Sequence, residues 1–327
     1  MGILYATKEK HTKYFHRGYV IESSSRHSDD AELYACTFLR KGEKRLVRKL
    51  CKNVLNGATF DYLLKLRTLT YDSAFIMPRY LLKVYNMYKD ENSVHVVMER
   101  CTGGFLFDVL KENDTIISER ILAEWFSQII SALLFLEEQN IYHGNLNGYC
   151  VYLKDQSREE VRVSLLSKDK KYDNIDYKGD LYGLFFIRSP QEIRKMYYDK
   201  NNTWYIGLLL YFMLMGSYPF FSEDVLQTYS DIAQDEVSFV HLKFEHTYLS
   251  NDICNFLKCA LEKNYDKRPY LSELANHPWI RDREKLSMNN IIDEKTRKSA
   301  RDLIKFLEQE ILKTEEDYDE VEFNKNW

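Results

Sequence analysis

His143-Gly144-Asn145-Leu146-Asn147-Gly148-Tyr149-Cys150 decides how this chain is read. The stretch holds no carboxylate, no lysine and no arginine. Upstream runs Val96-Val97-Met98-Glu99-Arg100-Cys101-Thr102-Gly103-Gly104-Phe105-Leu106-Phe107-Asp108. Downstream come Trp204-Tyr205-Ile206-Gly207 and then Gly216-Ser217-Tyr218-Pro219-Phe220. Lys267-Arg268-Pro269 and His277-Pro278-Trp279-Ile280 close the series.

In order and spacing these stretches resemble the protein kinases, the calcium/calmodulin-dependent group and the calcium-dependent kinases of plants and protists in particular. The opening stretch has the frame of the catalytic loop, H-R-D-L-K-P-E-N. The upstream run resembles the hinge, and the downstream runs resemble the large lobe. The resemblance covers residues 14–281. It implies an α+β, bilobal protein-kinase-like fold: a small β-rich N-lobe, a larger, mainly helical C-lobe and an added C-terminal helix. The expected division is 1–13 as an N-terminal extension, 14–101 as N-lobe, 102–281 as C-lobe and 282–327 as helix and acidic tail.

Phosphoryl transfer needs a cradle for the phosphates, a lysine on them, metal ligands and a carboxylate at the attacking hydroxyl. The resemblance puts Asn145 in the slot of the general-base Asp, Asn147 in that of the phosphate-contacting Lys and Cys150 in that of the metal-binding Asn. Only the structural members His143 and Leu146 are kept. The glycine-rich-loop positions fall on Arg26, Ser28 and Ala31, which read as a polar hairpin turn. Leu46-Val47-Arg48-Lys49 resembles V-A-I-K with Arg48 in the lysine slot, and its acidic partner would be at Asp61 or Tyr62. Arg keeps the charge of Lys but not its compact geometry. Val161-Arg162-Val163-Ser164-Leu165-Leu166-Ser167 resembles I-K-I-V-D-F-G, with Leu165 where Asp would hold Mg²⁺. Mg²⁺ wants oxygen ligands.

The resemblance places a degenerate nucleotide pocket at Leu33, Leu46, Met98, Glu99, Cys101, Phe105 and Tyr152. Leu46 adds three carbons where a small residue packs on adenine. Tyr152 stands on the floor of the site, and Phe105 replaces an acid near the ribose. Such a pocket is filled by the protein's own side chains. The expectation is that ATP/Mg²⁺ binding is lost or very weak, with no cofactor, no metal ligand and no working catalytic residue. Lys44, Lys49, Asp155, Asp169, Asp173 and Asp176 are the candidates for relocated groups and read as solvated loop residues. Ser189-Pro190-Gln191 resembles A-P-E with Gln191 in place of Glu, while the partner Arg268 is kept. A Gln191–Arg268 hydrogen bond or Glu192 can substitute. Asn202 replaces the Asp that caps the catalytic loop. His143, Leu166, Leu66 and Val94 match the stack that joins two kinase lobes, and equally suit plain core packing.

Composition bounds the rest. The 327 residues suit one two-lobed module with a tail, and 45% hydrophobic with 29% charged is ordinary for a globular chain. A net charge of −4 gives no footprint for nucleic acid. The six cysteines form no C-x-x-C pair, as in a reduced, cytoplasmic protein. No apolar run reaches transmembrane length. Met1-Gly2 starts a myristoylation pattern that Ala6 does not complete.

Short β-rich runs are predicted at Tyr19–Ile21, Glu32–Leu39, Arg45–Leu50, Val84–Tyr88 and Val94–Met98, with a helix at Asp61–Leu69. Ser118 is a predicted N-cap for a helix to Gln139 that turns Trp125, Ile129, Leu133 and Leu136 to one side. Trp204–Met215 is apolar all round, the mark of a buried helix. Cys254–Leu261 and Leu271–Ala275 are further helices. Asp293–Leu312 is amphipathic and basic, suited to docking on the protein's own large lobe or to calmodulin at 295–313. Glu315–Glu322 is an acidic tail.

The reading is a catalytically inactive pseudokinase, not an enzyme, serving as a protein-binding scaffold or allosteric regulator in signalling. Its partner would be a protein, such as an active kinase or that kinase's substrate. Two alternatives stand beside it: a weak or atypical Ser/Thr kinase with relocated catalytic residues, and a metal-independent nucleotide-sensing module.

Overall fold

Alternating aliphatic and aromatic residues between Tyr19 and Glu99 build one antiparallel sheet. The computed structural model describes residues 15–16, 18–28, 31–51, 57–71, 78–90, 93–166, 188–194, 200–222, 224–234, 237 and 249–306. The N-terminal extension, Ser167, Asp169, Asp173, Asp176 and the acidic tail lie outside them. Contacts divide the chain into two units, one within Met1–Gly104 and Tyr149–Asp176, the other within Phe105–Gly148 and Tyr177–Trp327.

The sheet of the first unit consists of β1 (Phe15–His16), β2 (Tyr19–Ser28), β3 (Ala31–Phe38), β4 (Glu43–Cys51), β5 (Val84–Lys89) and β6 (Ser93–Glu99). Their order is β1-β2-β3-β4-β6-β5. Helix α1 (Gly57–Tyr71) buries Leu63, Leu66 and Leu69, the three leucines predicted to share a side. β2 runs seven residues beyond the predicted Ile21, because backbone pairing with β3 continues to Ser28↔Ala31. Its polar side chains carry no apolar alternation, so the pattern could not show this extension.

The pleat sorts side chains onto two faces. Tyr19, Cys36, Val47 and Val97 form a core on one, with Tyr34, Phe38, Tyr85 and Tyr88 packed against it. Arg45 lies among these rings, its guanidinium carbon 3.9 Å from the Tyr85 centroid and 4.5 Å from that of Phe38. It donates to the Tyr19 hydroxyl at 2.9 Å and to Glu43 at 2.6 Å. Leu46, Arg48 and Leu50 alternate onto the opposite face, across from Met98, Val96 and Val94.

A short hairpin, β7 (Val151–Leu153) and β8 (Val161–Val163), completes this unit. It is tied in by Leu82 N–H to the Val163 carbonyl (2.8 Å), Thr102 N–H to Lys154 (2.9 Å) and Gly103 N–H to Leu153 (3.0 Å). A Cβ on Gly103 would overlap the Asp155 carbonyl, so the close approach requires glycine.

The second unit is helical: α2 (Asp108–Lys111), α3 (Glu119–Glu138), α4 (Pro190–Ile193), α5 (Asn201–Met215), α6 (Val225–Gln234), α7 (Asn251–Ala260), α8 (Leu271–Leu274) and α9 (Pro278–Arg281). Ser118 caps α3 as predicted, accepting from Ile121 N–H at 3.2 Å. Trp125, Ile129, Leu133 and Leu136 are all buried. α5 is buried from Asn201 to Leu214 and stops at Gly216, which takes φ +68°. It begins three residues before Trp204, because its first polar residues are bonded inside the unit. Asn202 donates to Glu137 at 2.7 Å and Thr203 to the Pro269 carbonyl at 3.1 Å. α7 likewise starts before Cys254, capped by Ser250. The Glu119 carboxylate, fully buried, accepts from Ser250 N–H (3.0 Å), the Ser250 hydroxyl and Trp279 Nε1 (3.1 Å).

The amphipathic tail docks on this unit, as one of its two predicted fates had it. It is helical over 294–306, and Ala300, Leu303 and Ile304 are buried. Residues 307–313 lie outside the described residues. Thr296 donates to the Leu214 carbonyl (3.4 Å) and Ser299 to that of Gly216 (3.3 Å). Arg297 donates to the carbonyls of Val109 (2.9 Å), Glu112 (2.5 Å) and Thr115. Cations suit the carbonyl-rich end of a helix such as α2.

Two outcomes follow from this packing. Arg297→Ala leaves three carbonyls without their donor and should lower unfolding stability by about 2–4 kcal/mol. Arg301→Ala, at a partly exposed pair with Glu294, should cost at most about 1 kcal/mol. Urea midpoints compare the two. The second outcome concerns His277, whose Nδ1 accepts from Trp279 N–H (3.2 Å) while Nε2 lies 2.9 Å from Asn255 Oδ1. This network assigns a neutral ring protonated at Nε2. Burial lowers its pKa from 6.5, Arg281 adds to the effect and Asp252 opposes it. The unfolded chain then binds the proton more readily. Stability should fall as pH drops through about 6.5 and level off below the folded pKa. His277→Ala should remove that part of the profile, read as urea midpoints from pH 7.5 to 5.

Candidate functional site

The inner face of β4 carries the residues predicted to meet a nucleotide. Leu46 stands opposite Met98, and Arg48 stands between Leu33 on β3 and Val96 on β6. Leu46, Met98 and Tyr152 are buried, and Leu33 is half-buried. Arg48 is only 2% exposed. Its predicted acidic partner does not match: Asp61 is exposed on α1 and Tyr62 is aromatic and half-buried. The glycine-loop positions Arg26, Ser28 and Ala31 are paired residues of β2 and β3.

The end of β6 is built around an ion pair the sequence reading missed. Arg162 Nε donates to Glu99 Oε1 at 2.9 Å, and its Nη2 reaches Glu160 at 3.2 Å. Lys154 and Arg79 also bind Glu160, Lys154 at 3.1 Å. Arg162 lies on β8 opposite Tyr152. A lone arginine between two valines in a buried strand was the available signal, since so enclosed a cation calls for a partner. Glu99 and burial act together on the neighbouring thiol. Burial first, then the Glu99 charge, pushes the Cys101 pKa up to about 12.

Cys150 is fully buried, and its carbonyl accepts from Ser164 N–H at 2.8 Å. Leu165 is buried in the bend after β8. A thiol and an aliphatic chain are the wrong donors for Mg²⁺, which requires oxygens. The residues present do not fit the metal that the fold family uses. Among the described residues no three His, Cys, Asp or Glu side chains converge as a metal site.

The remainder of the decisive loop belongs to the second unit. Gly144 takes φ +68°, where glycine is favoured. Asn147 Nδ2 donates to the Asn145 carbonyl at 3.0 Å and approaches its Oδ1 at 3.4 Å. Asn145 is 5% exposed and Asn147 2%. A Cβ on Gly148 would overlap the Phe107 ring, so the loop packs flush on that side chain. Phe105, the one predicted pocket residue in this unit, is buried in a turn closed by Asp108. Asn202 is bonded to Glu137 on α3. Gln191 does take over from the expected glutamate, accepting from Arg268 at 2.8 Å.

The comparisons agree with this architecture. The protein kinase domain family matches residues 74–280, more than half of the chain. Calcium-dependent protein kinase 6 of Plasmodium berghei (strain Anka) is 26% identical over 203 residues, 61% of this chain and 13% of that protein. A calcium/calmodulin-dependent serine/threonine-protein kinase of Malus domestica is 29% identical over 205 residues, 61% of this chain and 48% of its own length. One from Lilium longiflorum is 28% identical over 204 residues, 61% of this chain and 38% of its length. The chain thus spans less than half of each of these relatives. The autoinhibited serine kinase domain of the giant muscle protein titin shares the fold, with TM-score 0.68, 19% identity and 86% of each chain covered.

These matches overturn the expectation that the chain is not an enzyme. That expectation weighed a handful of catalytic positions, whereas the match runs through most of the packing anchors of a family whose named relatives are serine/threonine kinases. This chain belongs to the protein kinase domain family.

Proposed function

We propose that this chain is an atypical member of the calcium-dependent kinase-like group that works chiefly by binding and regulating a protein partner, with weak phosphoryl transfer of its own. The observation that carries this reading is the amide pair in the loop, Asn147 Nδ2 on the Asn145 carbonyl inside buried packing. An amide can orient a hydroxyl but cannot take its proton. Loss of a positioned base costs typically ~10²–10⁴ in rate. Leu165 and Cys150 in the metal slots and the buried Leu46, Met98 and Tyr152 support a pseudokinase-like site with very weak ATP/Mg²⁺ affinity. In this reading 14–101 and 102–281 are the two lobes, with the β7–β8 hairpin packed on the first unit.

The partner would be an active kinase or its substrate. Calmodulin at 295–313 is the alternative to docking on the chain's own second unit, since relatives are named for dependence on it. Arg297 would have to leave its three carbonyls for that segment to be wrapped. Among the described residues no helix is long and apolar enough to cross a membrane; the setting proposed from the cysteine pattern of the sequence is cytoplasmic. Arg48 favours a second reading, metal-independent nucleotide sensing, because it keeps a buried cation in the lysine slot.

Thermal denaturation of the purified chain with ATP, with and without Mg²⁺, tests the pocket. A ligand at its Kd stabilises by only about 0.4 kcal/mol, so ~1 mM ATP should shift Tm by less than about 2 °C. A larger shift that needs Mg²⁺ would refute the reading of Leu165. A larger shift without metal would replace weak transfer with nucleotide sensing. For the chemistry, Asn145→Asp should raise the residual transfer rate to a generic peptide by ~10-fold or more. No rise would show that Asn145 is not what limits the reaction.

A further inference from the structure

We infer that Asn147-Gly148 is a latent deamidation site, held shut by the packing of the loop and converted irreversibly to an acid when the loop opens. The inference goes beyond the binding reading and stands whether or not the chain transfers phosphate.

Asparagine is a thermolabile residue, and most so before glycine, whose nitrogen is the least hindered nucleophile the backbone offers. Only Asn56 and Asn147 precede a glycine in this chain. In the frame that the loop resembles, the slots of Asn147 and Gly148 hold lysine and proline. That pair is inert to the reaction, because lysine has no side-chain carbonyl and proline has no N–H. The asparagine and glycine that stand here form a reactive pair instead.

The chemistry consumes only water. The Gly148 backbone nitrogen attacks Asn147 Cγ, and the new C–N bond closes an imide ring. The Cγ–Nδ2 bond breaks, and Nδ2 leaves as ammonia with the proton given up by the Gly148 nitrogen. Water then opens the ring at either carbonyl. One opening leaves an aspartate side chain. The other leaves isoaspartate, whose main chain runs through the former side chain and is longer by one carbon.

In the folded loop the reacting groups are occupied, and all of them lie within the second unit. Nδ2, the atom that must leave, donates to the Asn145 carbonyl at 3.0 Å and lies 3.4 Å from Asn145 Oδ1. Asn147 is only 2% exposed, so burial keeps out the water that the reaction consumes. Gly148 is pressed flush on the Phe107 ring. Phe107 is itself held, with its centroid 4.4 Å from that of Phe212, which lies 4.8 Å from that of Tyr218. Ring closure therefore starts from an opened loop. Its rate is the unfolded-chain rate multiplied by the fraction of time the loop is open.

Conversion cannot be undone by reclosing. The acid product puts an oxygen where Nδ2 stood, facing the Asn145 carbonyl oxygen. Two acceptors then meet in a buried site with no proton between them, so the loop loses the bond that closed it. The isoaspartate product adds its extra carbon to backbone that is packed against Phe107.

Peptide mapping by mass spectrometry tests the site on the full chain, aged in mildly alkaline buffer with and without guanidinium chloride. In denaturant, Asn147 and Asn56 should convert at rates within about 3-fold of each other, since both precede glycine in an unfolded chain. Without denaturant, Asn147 should convert at least ~100-fold more slowly than in it. Asn147→Asp, which carries the charge of the product, should speed hydrogen exchange over 142–148 by ~10-fold or more. Asn147→Ala only removes the donor and should have the smaller effect. Equal conversion of Asn147 in the two buffers, a rate in denaturant far below that of Asn56, or parent-like exchange in Asn147→Asp would each overturn the inference. The conversion rates are read on the parent chain, so they decide the question even if that variant does not fold.

Discussion

Burial of α5 along its whole length is the constraint on which the second unit depends. Each large apolar side chain that it encloses contributes about 1.5–3 kcal/mol, and a helix buried on all sides must also settle every polar group it carries. It does so by recruiting its neighbours. Asn201 and Tyr205 hold the 189–193 turn, Asn202 holds α3 through Glu137, and Trp204 receives Arg268. Gly207 lets Leu261 approach closely, and Gly216 lets the tail helix cross its end. The turn, the loop and the tail are positioned by one element.

Neutral groups hold several of the buried polar side chains of the second unit. Gln191 holds Arg268, three carbonyls hold Arg297, and Asn147 holds Asn145. Hydrogen bonds of this kind hold geometry without a formal ion pair. One charged network, Arg162 with Glu99 and Glu160, fastens the end of β6 to the β7–β8 hairpin.

Much of the fold was legible in the residues. The leucines of α1, the cap at Ser118 and the apolar run of α5 each follow a local rule, and each element formed where that rule put it. The missed boundaries share one cause. The polar half of β2, the asparagines that open α5 and the first turn of α7 are stabilised by partners distant in sequence or by strand pairing, which periodicity does not encode. Of the candidate site, the identity of each altered residue was plain, but Arg162 and Glu192 were not recognised as hubs. Their importance lies in which groups surround them, and a lone Arg or Glu in a string of letters gives no such information.

The sequence by itself determined which chemical groups this chain carries at the positions its resemblance to the kinases marks: amides at Asn145 and Asn147, a thiol at Cys150, an aliphatic chain at Leu165 and a guanidinium at Arg48. That follows from covalent identity, which folding cannot alter. Only the tertiary structure decided what those groups do instead. It paired Asn147 with Asn145, gave Arg268 to Gln191, set Glu192 among hydroxyls and locked Arg297 among carbonyls. The physical reason is that buried polar groups must find partners, and the choice of partner depends on distances that exist only once the chain has packed.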